Sequence, residues 1–409
     1  SINAQIKFKD YFVDKTLRLD FYHTGNEQTE IISFEKLVEE EFWGGSKKNL
    51  IDEFNYGNYM LYVFDESENK LIYSRGFSTL YQEWQSTEEA KTITRSMEGS
   101  VVLPFPLRNI RIEIHRRDRK NIFNKIFEYS IDPTNYFIIK EKIKSYPSFK
   151  VHYSGNPSQK LDIVFLPEGY TQDEMEKFKL DCERVAGYLF EYSPFKEYKE
   201  KINLWGVEAP SLQSSTDIPG KNIWRQTLLN SRFYTFDSER YLMTTDYFTV
   251  RDLAANAPYD QIYILVNTDK YGGGGVYNFY NITSVDNERS KQVFIHEFGH
   301  GFGGLADEYA SDNTYLDYYP LDVEPWEVNL TTLVDFESKW KDLVDEGTPI
   351  PTPAEEKYKN KTGVFEGGGY TNKGVYRSTY ASIMNSFVSN EFNEVSKRAL
   401  IKLIESYTE

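Results

Sequence analysis

Five histidines are spread over 409 residues, and two of them stand four apart in the run Val293-Phe294-Ile295-His296-Glu297-Phe298-Gly299-His300-Gly301-Phe302-Gly303-Gly304-Leu305-Ala306-Asp307-Glu308-Tyr309. This HExxH spacing constrains the fold more than any other feature. On an α-helix, residues four apart share a face, one turn above the other, so two imidazoles can point at one ion. The apolar Val293-Phe294-Ile295 in front requires that helix to be packed into a core. A chance HExxH in a chain of this length is on the order of a 1% event at ordinary residue frequencies. The expectation is a buried helix on which His296 and His300 hold one zinc ion per chain, because zinc accepts neutral imidazole nitrogen at about 2.0–2.1 Å. Glu297 adjoins the first ligand and is expected to serve as general base toward a water acidified by the metal.

The third ligand needs a separate argument. No histidine follows His300, so the longer pattern HExxHxxGxxH is excluded: Gly303 stands at its glycine, but Ala306 occupies its last ligand position. Glycines 301, 303 and 304 can end the helix and turn the chain back toward the metal, since glycine takes left-handed backbone angles at little steric cost. Asp307 is then the first candidate, Glu308 the second, and Glu324 or Glu327 a more distant third. Met384, inside Arg377–Ser386, suits the tight turn that places a methionine under the metal in some zinc peptidases. Tyr380 and Tyr376 are candidates for donating a hydrogen bond to a developing oxyanion. The run Gly272–Gly275 lacks the GxxxxGK[ST] of a phosphate loop. It is expected to lead into a short edge strand, Val276–Tyr280, along which an extended peptide would add as a further strand. His23, His115 and His152 are isolated and are given no role.

Around this segment the chain changes texture. Residues 1–135 show period-two alternation in Thr16–Tyr22, Tyr59–Phe64, Lys70–Ser74, Val101–Pro104, Ile110–His115 and Ile122–Tyr129, separated by turn clusters; this predicts an all-β sandwich domain. Residues 136–160 read as a connector. Residues 161–409 alternate strands (Leu161–Leu166, Ile202–Val207, Gln261–Val266) with helices, an α/β (α+β) zincin-like layered domain. One helix opens on a capping box, Thr171 with Glu174, and buries Met175, Phe178, Cys182, Val185 and Leu189. Another begins near Asn287 or Ser290, and a last one follows Asn390 with Phe392, Val395, Ala399 and Leu403 on one face.

Composition narrows the partners. A net charge of −16 argues against nucleic acid, whose phosphates demand clustered Lys and Arg. No stretch approaches the roughly 20 apolar residues of a membrane span. The single cysteine, Cys182, excludes an intrachain disulfide and a Cys-based metal site. The chain begins with Ser, as expected of one trimmed after export.

The run His296–Tyr309 resembles the zinc signature of the IgA-peptidase family of metallopeptidases. Gly363–Tyr370, followed by Gly374-Val375-Tyr376-Arg377, is similar to a second stretch of that family. Leu166-Pro167-Glu168-Gly169-Tyr170-Thr171 fits the start of its catalytic domain, and the all-β region resembles its N-terminal domain. The resemblance implies a metzincin-like catalytic domain, zinc at His296 and His300 with Asp307 as third ligand, Glu297 as catalyst, Met384 in the Met-turn, and export: a secreted, periplasmic or cell-surface protein. Relatives often carry Cys two residues before the turn methionine, where this chain has Ser382. The resemblance does not make IgA the substrate, because a family does not fix specificity. The expected reaction is hydrolysis of internal peptide bonds of extracellular proteins. Two other readings are a zincin-fold binding protein for a host protein or glycan with little turnover, and an exopeptidase or amidase. The stretch Glu308–Lys361, with Pro349, Pro351 and Pro353, is expected to wall the cleft. Acidic residues across Asp307–Asp312 leave a calcium site open.

Overall fold

The computed structural model describes residues 6–142, 144–310, 318–387 and 389–408. A one-turn helix α1 (Phe8–Tyr11) leads into strands β1 (Phe12–Gly25), β2 (Glu30–Glu40), β3 (Tyr59–Asp65) and β4 (Lys70–Phe77). The short helix α2 (Leu80–Trp84) separates these from β5 (Arg95–Pro106), β6 (Ile110–Arg117) and β7 (Phe123–Ile131). They form two antiparallel sheets, ordered β2-β1-β5 and β4-β3-β6-β7. Alternation explains the layering: Leu17, Leu19 and Phe21 of β1 face Leu61 and Val63 of β3 and Ile110, Ile112 and Ile114 of β6 in one core. The expected sandwich is therefore present. Three of the elements named were not expected: α1, β2 and α2. In β2 the sequence Glu30–Glu40 is charged at five positions and hides its alternation, yet it pairs with β1 from Thr16↔Glu40 to Gly25↔Glu30.

The second region is built on a six-stranded sheet ordered β12-β13-β11-β9-β10-β8. Its strands are β8 (Ser148–His152), β9 (Leu161–Glu168), β10 (Ile202–Val207), β11 (Gln261–Val266), β12 (Gly273–Val276) and β13 (Tyr280–Ser284). The four inner strands run parallel, and β8 and β12 close the two edges antiparallel. β8 lies inside the stretch expected as a connector and pairs with β10. All eight residues of β9 and all six of β11 are buried, as parallel strands covered on both faces require. Helices α3 (Met175–Leu189), α5 (Ser290–Gly301) and α6 (Glu394–Thr408) cover one face, while α4 (Tyr247–Ala254) covers the other. The helix opening at Thr171 has its capping box, and Met175, Phe178, Cys182, Val185 and Leu189 are buried. A small sheet, ordered β14-β16-β15 from β14 (Leu330–Thr331), β15 (Phe365–Gly368) and β16 (Thr371–Arg377), lies beyond α5 in the chain.

The two regions share a buried polar seam. Arg18 of β1 is fully buried and contacts Asp20 at 2.9 Å, Glu40 at 3.2 Å and Asp252 of α4 at 2.7 Å. Glu98 of β5 accepts the Phe248 N–H in the first turn of α4, where Asp246 accepts from Thr249. No helix among the described residues is long and apolar enough to cross a membrane.

Candidate metal centre

Helix α5 carries His296, Glu297 and His300 and lies against the edge hairpin of β12 and β13. The glycine run makes that approach possible. A Cβ on Gly275 would stand 2.6 Å from the Glu297 carbonyl, and one on Gly273 would meet the Glu297 side chain at 3.0 Å. These glycines are packing contacts. The expected strand Val276–Tyr280 is displaced: the edge strand is Gly273–Val276, and residues 277–279 form the turn into β13. The outer edge at Gly273 is already taken, its carbonyl accepting from Leu242 and its N–H donating to Arg240. By the alternation of an antiparallel ladder, Gly275 turns its N–H and C=O outward in the same way.

His296 donates from Nδ1 to the Ile383 carbonyl at 2.9 Å, and His300 from Nδ1 to the Leu305 carbonyl at 2.6 Å. In the neutral ring, each bond fixes the tautomer that leaves Nε2 with a lone pair. The two Nε2 atoms lie 3.1 Å apart. Helix α5 ends at Gly301; at Gly304, whose φ of 60° is left-handed, the chain turns and returns so that Asp307 Oδ1 stands 3.1 Å from His296 Nε2 and 3.4 Å from His300 Nε2. That oxygen is buried and makes no hydrogen bond. Glu297 also approaches the pair, its carboxylate lying within 4.8 Å of both rings. The shorter distances belong to Asp307.

The other carboxylates considered from sequence are engaged elsewhere. Glu308 is fully buried and accepts from the Ser382 hydroxyl, from Asn329 Nδ2 at 3.1 Å and from Asn393 Nδ2 at 2.8 Å. Glu324 accepts from Thr332 and from the Asp335 N–H. Glu327 lines the cleft and accepts from Tyr319 at 3.1 Å. Met384 is buried beneath α5, where a Cβ on Gly299 would stand 2.7 Å from its sulfur. Its carbonyl accepts from the Glu308 N–H at 2.8 Å. Tyr380 and Tyr376 are not brought to the cleft: Tyr380 packs on Phe365, and Tyr376 lies in β16. The tyrosine that sequence reasoning missed is Tyr370, which donates to Asp307 Oδ2. Its φ of 63° is unusual for a tyrosine, and the cluster Gly367-Gly368-Gly369 before it was the available signal. Of the stretch Asp307–Asp312, residues 311 and 312 lie outside the described residues, and Asp307 and Glu308 point to the partners given above.

The site is strongly polarised. Burial pushes the Glu297 carboxyl up, against the pull of His296 and His300. Burial acts against the His300 imidazolium too, but Asp307 overrides it and raises His300 to about 9. Asp307 is held well below the carboxylate range: burial opposes this and the charge of His300 prevails. A cleft of about 840 Å³ runs over these groups. Its walls include Gln82 and Glu83 of α2, Tyr241 and Gly275 near the edge strand, and Tyr318 and Trp326 from the loop beyond α5.

Two family models match the chain. The one described as IgA Peptidase M64 matches residues 149–359 and 354–404, and the one described as Peptidase M64 N-terminus matches residues 7–128. No curated protein matches the chain.

Proposed function

We propose, from the premise that this chain belongs to the IgA peptidase M64 family and is a metallopeptidase, that it is a zinc endopeptidase. The ligands in this reading are His296, His300 and Asp307, and Glu297 is the general base. The observation that carries the reading is the convergence of two imidazole nitrogens and one carboxylate oxygen at 3.1–3.4 Å from one another. A tetrahedral zinc with ligands at about 2.0–2.1 Å requires donor separations of about 3.3 Å. A buried carboxylate oxygen with no hydrogen-bond partner fits the same need for a cation. Two histidines and an aspartate also leave the fourth position open, as catalytic zinc sites do.

Zinc bound there supplies a Lewis acid that polarises the scissile carbonyl and acidifies a water. The protein supplies the rest. Glu297 accepts the proton of the attacking water and passes it to the leaving amine nitrogen. Its raised carboxyl, a product of burial, brings the group toward the pKa that both transfers require. The outward N–H and C=O of Gly275 hold the peptide backbone extended along β12. Tyr370 fixes the Asp307 carboxylate through Oδ2 and leaves Oδ1 for the metal. Met384 forms the apolar floor. Protein substrates follow from the family, and walls on both sides of α5 support cleavage within a chain. We place the enzyme outside the cytoplasm, a setting compatible with a lone, fully buried Cys182.

Elemental analysis of the wild type, His296→Ala and Asp307→Ala tests the ligands. About one zinc per wild-type chain, lost in both variants, is the expected result. Zinc retained in Asp307→Ala removes Asp307 from the ligand set. Mass spectrometry of products from unfolded protein tests the reaction: internal cuts are expected, and single-residue trimming alone contradicts an endopeptidase.

A further inference from the structure

We infer that Glu83, contributed by the N-terminal β-domain, anchors a cationic group of the substrate, an ammonium or guanidinium, in the cleft beside the metal centre. The inference rests on the peptidase reading and adds a specificity determinant to it. Three observations carry it. Glu83 lies on α2, which among the described residues is the helical turn of its domain that reaches the cleft, and it lines that cleft together with His296, Glu297 and His300. Its Oε2 accepts from the Tyr241 hydroxyl at 2.6 Å, which holds the carboxylate in place from the catalytic side. Among the described residues no lysine, arginine or histidine forms an ion pair with it. Its neighbours along the wall, Thr79, Gln82 and Ser86, are neutral. Two arginines also line the cleft, Arg240 and Arg289; neither forms an ion pair with Glu83, and Arg240 donates instead to the Tyr309 hydroxyl at 3.2 Å.

A carboxylate half-withdrawn from water and bonded to a single neutral donor lacks a counter-charge. Burial pushes Glu83 up to about 7, the Tyr241 hydrogen bond offsetting only part of this. The metal centre does not relieve it. A dication held by two neutral imidazoles and Asp307, with Glu297 alongside, is close to neutral as a unit. When ionised, Glu83 places a negative charge, unpaired with either Arg240 or Arg289 of the same cleft, on the wall facing the space where the substrate lies. The placement is also directional. Tyr241, which holds Glu83, belongs to the segment 240–242 that occupies the outer edge of β12 at Gly273. A peptide extended along Gly275 meets this blocked end, and Glu83 stands beside it. The cation has two possible sources: a Lys or Arg side chain, or the free α-amine of a substrate whose N-terminus abuts the block.

The test uses alanine-rich heptapeptides carrying one lysine or its neutral isostere norleucine at each position in turn, each with a free and an acetylated N-terminus. Hydrolysis by wild type and Glu83→Gln gives kcat/KM. Calorimetric titration of the same peptides into Glu297→Ala, with and without Glu83→Gln, gives Kd in the absence of turnover. The expected result is at least a tenfold preference for the cationic peptide, in kcat/KM and in Kd, that falls to near one with Gln at 83. A preference that follows lysine and survives acetylation assigns the side-chain source. One that follows the free amine assigns the N-terminus. Equal binding of lysine and norleucine peptides in every arm, or a preference unchanged by Glu83→Gln, overturns the inference. Cleavage without preference defeats this inference and leaves the peptidase reading intact; preference in binding without any cleavage by wild type does the reverse.

Discussion

Asp307 and Glu308 are adjacent in the chain and have opposite fates, and the reason is visible one side chain at a time. Asp307 presents a bare oxygen to two imidazoles. Glu308 is saturated by Ser382, Asn329 and Asn393, and so ties the Met384 turn to the residue that caps α6. Glu308→Ala strips three buried donors of their acceptor, a cost of about 1–3 kcal/mol for each group left unpaired. We expect a clear drop in Tm and faster loss of zinc to a chelator; an unchanged Tm contradicts the bracing role. For Glu297→Gln we expect zinc content to hold while kcat falls by roughly 10²- to 10⁴-fold. A Gln variant with the wild-type rate removes Glu297 as base. The sequence made His296, Glu297 and His300 legible because their spacing and chemistry are local. It could rank Asp307 over Glu308 but could not separate them, since the choice lies in partners more than 20 residues away. Tyr370 was hidden among 32 tyrosines.

Element by element, the edge strand shows what composition conceals. Glycine reads as loop, yet Gly273 and Gly275 are paired strand residues whose missing side chains let α5 come within contact of β12. Gly275→Ala inserts a methyl 2.6 Å from the Glu297 carbonyl. Overpacking of this kind costs about 1–3 kcal/mol; a lower Tm and reduced zinc content are expected, and a variant equal to wild type in both refutes the packing account. Helix α3 was legible from its capping box and four-residue stripe, whereas β2 was not, because its charged positions mask the alternation that β1 enforces by pairing. The N-terminus of α4 gives a pH signature. Glu98 reaches it from the other domain and is raised to about 7, mainly by burial, against about 4.3 in an unfolded chain. Its contribution is fully present below pH 4.3 and is lost as pH rises through 7. Glu98→Gln should therefore gain Tm relative to wild type between pH 4 and 8. A difference that does not change with pH rejects the linkage.

Across the whole molecule, the seam at Arg18 binds the sandwich to the catalytic layer. Arg18→Leu removes the cation that Asp20, Glu40 and Asp252 share and leaves Asp20 only Lys36 at 3.7 Å; breaking a buried ion cluster in this way costs about 3–5 kcal/mol. Calorimetry of the wild type should show one unfolding transition; two resolved transitions would mean that the domains are energetically independent. The order of domains could be inferred from the change of period along the chain, but not their mutual burial. Arg18 and Asp20 sit on the face of β1 that alternation assigns to water, and only the folded chain reveals α4 covering it. Helix α2 is joined to α4 separately, the Leu80 N–H donating to the Tyr247 hydroxyl at 3.3 Å, and it lines the cleft. The groups proposed to bind zinc and move the proton thus lie in one stretch of the chain, and one wall of the cleft above them lies in another. If Glu83 anchors the substrate as inferred, replacing the first 130 or so residues by those of a relative changes the selecting wall and leaves His296, Glu297, His300 and Asp307 in place, so selectivity can be inherited separately from the reaction.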